Sequence, residues 1–144
     1  MILSVIAIGG IRGPLAGAVD EFEARAGNYW RLQLVQLKSG VRGGGRADPA
    51  LVRKAEEERI LARLPEAGEI VAMTREGKVM GSRDLAGFLQ ERAVRSVPEI
   101  VFILGGAFGL GEGVLARASF RLSLSPLTLP HEIARLVLAE QLYR

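Results

Sequence analysis

Glu99-Ile100-Val101-Phe102-Ile103-Leu104 runs straight into Gly105-Gly106-Ala107-Phe108-Gly109-Leu110-Gly111. After Glu99 the run has no polar residue, so it has no face to offer to water. Such a segment reads as a strand covered on both sides, which is the signature of a central position in a parallel sheet. The glycines behind it end the strand in a turn where backbone can come close to a neighbour or to a ligand.

The segments on either side alternate in the same way. Downstream, a short helix over Glu112–Ala118 leads to a strand over Phe120–Leu124. A loop over Ser125–Leu129 follows, and Pro130 starts a last helix that runs to the end. Upstream lies a strand over Glu69–Thr74, a loop over Arg75–Gly81, and a helix capped by Ser82 with Leu85, Phe88 and Leu89 on one side. Before these, Ile2–Ile8 is a short apolar strand closed by Gly9-Gly10. Pro14–Ala26 carries Leu15, Val19, Phe22 and Ala26 at helical spacing and is stopped by Gly27. Tyr29–Leu37 alternates Trp30, Leu32 and Leu34, as a strand does. Ser39–Ala47 is a glycine-rich basic loop. Asp48 then caps a helix with Pro49 at its first position, running to Leu64 ahead of Pro65. Strands alternating with helices predict an α/β fold, a mostly parallel five-stranded sheet with helices on both faces. Residues 1–144 form a single domain with no repeat and no linker. In such sheets ligands bind beyond the carboxyl ends of the strands.

Composition narrows the function. The chain has 144 residues, 49% hydrophobic and 24% charged, a globular balance. It has no cysteine and one histidine, His131, so no metal site is expected. A net charge of +3 and a pI near 9.8 permit an anionic partner such as RNA. The apolar start lacks the basic flank of a signal peptide, and the Ile100–Leu110 run is too short to span a bilayer. A soluble, cytoplasmic protein with no membrane partner is expected.

Four features carry candidate chemistry. The glycine turn Gly105–Gly111 is either a ligand loop or a plain strand-to-helix turn. It does not fit the dinucleotide fingerprint, because Val114 stands where the last glycine would be, and no phosphate-loop lysine follows. This weakens a nucleotide-dependent enzyme of Rossmann type. The Ser123–His131 stretch, Ser-Leu-Ser-Pro-Leu-Thr-Leu-Pro-His, leads small hydroxyls into a helix start, where free N–H groups suit an adenine edge or a phosphate. The plainer alternative is helix capping by Ser125 or Thr128. The last helix is apolar almost all round, which suggests burial at a subunit interface. On it His131 and Arg135 share a face. Arg135 needs a partner there: a carboxylate such as Glu140 of the partner subunit, an RNA phosphate, or a structural ion pair at the interface. Lys38, Arg42 and Arg46, set among glycines, either clamp phosphates or form a solvated loop. The charges of the Asp48–Leu64 helix (Arg53, Lys54, Glu56, Glu57, Glu58, Arg59 and Arg63) read as a solvated face.

Taken together, the segments ILSVIAIGGI, VRGGGRAD, FILGGAFGL and LSLSPLTLPHEIARLVLAEQLYR resemble the RlmH family of SPOUT-class methyltransferases over almost the whole chain. Pro130-His131, Arg135, Glu140 and Tyr143-Arg144 stand in the family's places. The resemblance implies an S-adenosylmethionine-dependent enzyme that methylates N3 of a pseudouridine in large-subunit (23S) ribosomal RNA, on the assembled ribosome. It implies a C-terminal trefoil knot and a homodimer with the active site at the interface. It implies donor contacts at Met73, Gly105 and the run Leu124, Ser125, Pro126, Leu127, Thr128 and Leu129. On the acceptor side His131 is expected as base or orienter, and Arg135 as the group that binds phosphate or the developing negative charge. Where the family usually has Leu-Asp-Glu-Arg-Gly this chain has Met73-Thr74-Arg75-Glu76-Gly77. Where it has Lys-Met-Thr-aromatic, this chain has Pro126-Leu127-Thr128-Leu129. The family also continues past Tyr-Arg with a short tail ending in Tyr-His-basic, so either the sequence is truncated at Arg144 or its acceptor handling differs. A non-catalytic RNA- or ribosome-binding homodimer of the same fold is the alternative.

Overall fold

The structure is a computed structural model that describes residues 1–41 and 48–144. Its strands are β1 (Ile2–Ile8), β2 (Arg31–Leu37), β3 (Glu69–Val79), β4 (Glu99–Leu104) and β5 (Phe120–Ser123). Its helices are α1 (Ala16–Ala26), α2 (Pro49–Leu61), α3 (Ser82–Val94), α4 (Glu112–Arg117) and α5 (His131–Tyr143). The strands make one sheet in the order β2-β1-β4-β3-β5, and every pairing is parallel. The apolar run that predicted a central strand is the middle strand, with β1 on one side and β3 on the other.

Period-two alternation divides the sheet's side chains between two cores. Leu3, Val5, Ile100, Phe102 and Leu104 pack with Ala26 of α1, with Leu85, Phe88 and Leu89 of α3, and with Leu138 and Leu142 of α5. Ile6, Ile8, Val101 and Ile103 point the other way, onto Ile60 of α2 and Val114 of α4. Helices therefore cover both faces. Each fully buried side chain, such as Phe102 or Ile103, contributes about 1.5–3 kcal/mol.

Asp48 caps α2 as its sequence position predicts, its carboxylate accepting from Ala50 N at 2.9 Å. Other boundaries move. α2 ends at Leu61, and Arg63 N bonds back to Ile60 O in a tight turn before Pro65. α1 starts at Ala16, two residues beyond Pro14. α3 has Gly81 at its N-cap, not Ser82, and Asp84 accepts from Gly81 N. The largest departure is β3. The segment expected to be a loop from Arg75 onward rejoins the sheet: Met73 and Lys78 both register with Leu122 of β5, so Thr74–Gly77 bulges out. Gly77 makes this possible. A Cβ there would lie 2.7 Å from the backbone carbon of Arg121, an approach only glycine tolerates.

Candidate functional site

A cavity of about 550 Å³ opens at the carboxyl ends of β3, β4 and β5. Its size is that of a small-molecule site, about 300–1,000 Å³. Met73, Leu104, Leu110, Leu122, Leu124 and Leu129 give it apolar walls. The glycine turn forms one rim. Gly109 has φ +79°, and its N–H returns to Gly106 O at 3.1 Å, so the turn folds back on itself. A Cβ on Gly105 would meet Gly109 backbone and the Leu110 side chain at 3.0 Å, so the turn is packed down to its backbone.

The loop after β5 forms the opposite rim. Its hydroxyls hold the loop itself: Ser123 Oγ donates to Ser125 O at 3.0 Å, and Leu127 N donates to Ser125 Oγ at 2.9 Å. Neither Ser125 nor Thr128 caps the last helix, contrary to the plainer sequence alternative. Pro130 occupies that cap position, without a side-chain bond. Thr128 Oγ1 instead accepts from Arg75 Nη1 at 2.7 Å, and Arg75 also pairs with Glu76. The β3 bulge is thereby tied to the loop across the cavity mouth. Phe108, 45% exposed, and Leu127, 72% exposed, stand on the two rims.

Two cavity residues carry buried polar atoms with no partner among the described residues: Thr74 Oγ1 and His131 Nε2. The His131 nitrogen lies 3.7 Å from where a Cβ on Gly9 would sit, so the ring rests against the turn after β1. Gly9 has φ +82° and donates to Leu37 O at 2.7 Å, which closes this turn onto the end of β2. His131 thus stands between the cavity and the segment where the basic loop begins.

Of the residues predicted from sequence, Met73, Gly105, Leu124, Ser125, Leu127, Thr128, Leu129 and His131 share the cavity wall. Pro126 belongs to the same loop but not to the wall. Arg135 faces away, buried against α1. Its Nε meets Glu23 Oε2 at 2.8 Å and its Nη2 meets Oε1 at 2.9 Å, a bidentate pair. Within this chain its partner is therefore Glu23. Glu140, the carboxylate named from sequence, accepts from Arg144 and Gln141. Lys38 is exposed just past β2, outside the wall. Arg42 and Arg46 lie outside the described residues.

Sequence reasoning missed the bulge residues Thr74, Arg75 and Glu76, and Arg53 of α2, which also line the cavity. It also misread α2 as solvated on its charged face. Glu56 is buried, and Glu57 Oε1 accepts from Val114 N of α4 at 3.1 Å. The signal was available in the spacing. Val52, Glu56 and Ile60 recur every four residues, so Glu56 sits in the apolar stripe. Val19 and Glu23 do the same in α1.

Comparison with known proteins matches residues 1–144 to a family model described as predicted SPOUT methyltransferase. A ribosomal RNA large subunit methyltransferase H from Gemmatimonas aurantiaca is 45% identical over 130 residues, covering 90% of this chain and 82% of the relative. Its namesake from Nitratidesulfovibrio vulgaris is 39% identical over 144 residues, covering 99% and 90%. Among solved structures, a methylase family protein from Neisseria gonorrhoeae shares the fold with a TM-score of 0.55 at 15% identity, over 99% of this chain and 81% of that one.

Proposed function

The chain belongs to the SPOUT methyltransferase family, and from that premise we propose that it methylates large-subunit (23S) ribosomal RNA on the assembled ribosome in the cytoplasm. The proposed target atom is N3 of a pseudouridine and the proposed methyl donor is S-adenosylmethionine. The relatives' shared name, ribosomal RNA large subunit methyltransferase H, supports the RNA class.

The observation that carries the donor assignment is the cavity itself. It has apolar walls, a rim packed down to glycine backbone at Gly105, and at Thr74 a hydroxyl with no partner among the described residues. These fit a flat heteroaromatic ring with polar edges, held by backbone groups of Gly105 and of Leu124–Leu129 and flanked by Met73. When bound, S-adenosylmethionine supplies a methyl group on a positively charged sulfur. The chain's own contribution is positioning, which can supply about 7–11 kcal/mol of a barrier, and management of one proton. His131 is the residue for that proton, because its Nε2 has no competing partner among the described residues and the ring lies beside the cavity. Arg135 acts one turn further on as a positioning residue, fixing the start of α5 through Glu23. Lys38, Arg42 and Arg46 are assigned to RNA phosphates. A homodimer completes the proposal: Ile133, Leu136 and Val137 of α5 remain partly exposed, an apolar edge for a second copy. The knotted C-terminal passage implied by the family resemblance goes with the same reading.

The test is transfer of labelled methyl from S-adenosylmethionine to ribosomes from a strain lacking the modification. One labelled pseudouridine per large subunit is expected, and His131→Ala should lower the rate by about 10²–10⁴-fold. RNA binding without any transfer would make the chain a non-catalytic RNA-binding protein and refute the proposal.

A further inference from the structure

Among the described residues that line the cavity, one short segment supplies both signs of charge: Arg75 and Glu76, in the β3 bulge. Glu76 is the single acid of that wall, and its other arginine, Arg53, comes from α2. The bulge is fixed at its base. Met73 before it and Lys78 after it register with the same residue of β5, Leu122, and Gly77 passes too close to the backbone of Arg121 and Leu122 for a Cβ. Arg75 and Glu76 are therefore carried by a pinned strand and not by a free loop.

The two side chains are held unequally. Arg75 Nη1 donates to Thr128 Oγ1 at 2.7 Å, which fixes the guanidinium at the cavity mouth. Its link to Glu76 is long: Nη2 and Nε lie 3.3 Å and 3.4 Å from the same oxygen, Oε1. The two side chains are 55% and 75% exposed. A long ion pair this exposed adds little to stability, so a ligand that offers each group a better counter-charge displaces it at low cost. With Nη1 engaged by Thr128, the Nε and Nη2 edge remains, and that edge is the planar fork that meets a carboxylate through two parallel bonds.

The proposed donor has an end that needs such groups. Its ring belongs against apolar walls and glycine backbone. Its other end is an α-amino acid, with a carboxylate and an ammonium on one carbon. Apolar walls cannot replace the water that these charges give up on entering a cavity.

We propose that Arg75 and Glu76 recognise this zwitterion, the Nε and Nη2 edge of Arg75 taking the carboxylate and Glu76 taking the ammonium, with Thr128 as the residue that positions Arg75. The inference rests on the functional reading above and adds a specificity to it: the cavity selects ligands that carry a free α-amino acid.

Calorimetry with two ligands isolates that end. S-adenosylhomocysteine carries the amino acid, whereas 5′-methylthioadenosine keeps the ring and the sugar and lacks it. Wild type should bind the first at least about ten-fold more tightly, the scale of one hydrogen bond between charged groups. Arg75→Ala should bring that ratio towards one by weakening S-adenosylhomocysteine alone. Arg75→Lys keeps the charge without the fork and should recover part of the loss. Glu76→Gln should lower the ratio in the same selective way, by a smaller factor. A residue that merely shapes the bulge would weaken both ligands alike. Equal weakening of the two by Arg75→Ala, a ratio unchanged by Arg75→Ala or by Glu76→Gln, or a wild-type ratio of one would overturn the zwitterion assignment alone. So would loss of the preference in Arg53→Ala with its survival in Arg75→Ala. A wild type that binds neither ligand would overturn the functional reading, and this inference with it.

Discussion

Glu23 and Glu56 are buried on opposite faces of the same sheet and are held in opposite ways. Glu23, on the α1–α3–α5 side, has both oxygens engaged by one guanidinium, that of Arg135. Glu56, on the α2–α4 side, has one backbone N–H on one oxygen and, among the described residues, no partner on the other. The first arrangement is closed: planar fork meets planar carboxylate, and neither group has a reason to move. The second is open, with a lone pair directed at a turn made of glycine. The chain thus locks the side that carries its last helix and leaves adjustable the side that touches both loops of the proposed site.

The comparison can be broken most severely at Arg135. Arg135→Ala leaves Glu23 charged, buried and alone, and should cost about 3–5 kcal/mol in chemical denaturation. Replacing the pair together, Glu23→Leu with Arg135→Met, should recover most of that loss, because burying two charges is itself expensive. If the single variant lost under 1 kcal/mol, the closed reading of this face would be wrong. Gly106→Ala comes next. Its methyl would meet Glu56 Oε1 at 2.8 Å and Ile8 Cγ2 at 3.0 Å, so about 1–3 kcal/mol of destabilisation is expected by thermal melting. Glu56→Gln is the smallest, within about 1 kcal/mol of wild type, since the Gly40 contact survives and no paired charge is stranded. A loss as large as that of Arg135→Ala would mean that Glu56 is a structural pillar like Glu23.

The fold was legible where burial left one solution. Ile100–Leu104 has no polar face, so it had to be central, and Ile2–Ile8 appears with its predicted bounds. Leu85, Phe88 and Leu89 form the buried face of α3 as their spacing indicated. The β3 bulge was not legible, because Thr74-Arg75-Glu76-Gly77 has the composition of an ordinary turn. Only the tight passage of Gly77 over Arg121 shows that the strand resumes. In the site, Gly105 and the run after Leu124 were reached through resemblance, since loops that bind by backbone leave little trace in side-chain pattern. Arg75 was missed because its partner, Thr128, is distant in sequence and brought near only by the pairing of β3 with β5. Glu56 was hidden by its charged neighbours, although Val52 and Ile60 on either side already marked its stripe as buried.

The central claim is that the cavity between the glycine turn and the Leu124–Leu129 loop holds the methyl donor. Calorimetry with S-adenosylmethionine tests it most directly, comparing wild type with Gly105→Trp. The account predicts one saturable site in the wild type. It predicts at least a hundred-fold weaker binding, about 2.7 kcal/mol, in the tryptophan variant, whose side chain must enter the cavity or displace the turn. No heat from the wild type at saturating donor, or equal binding by both proteins, would contradict it.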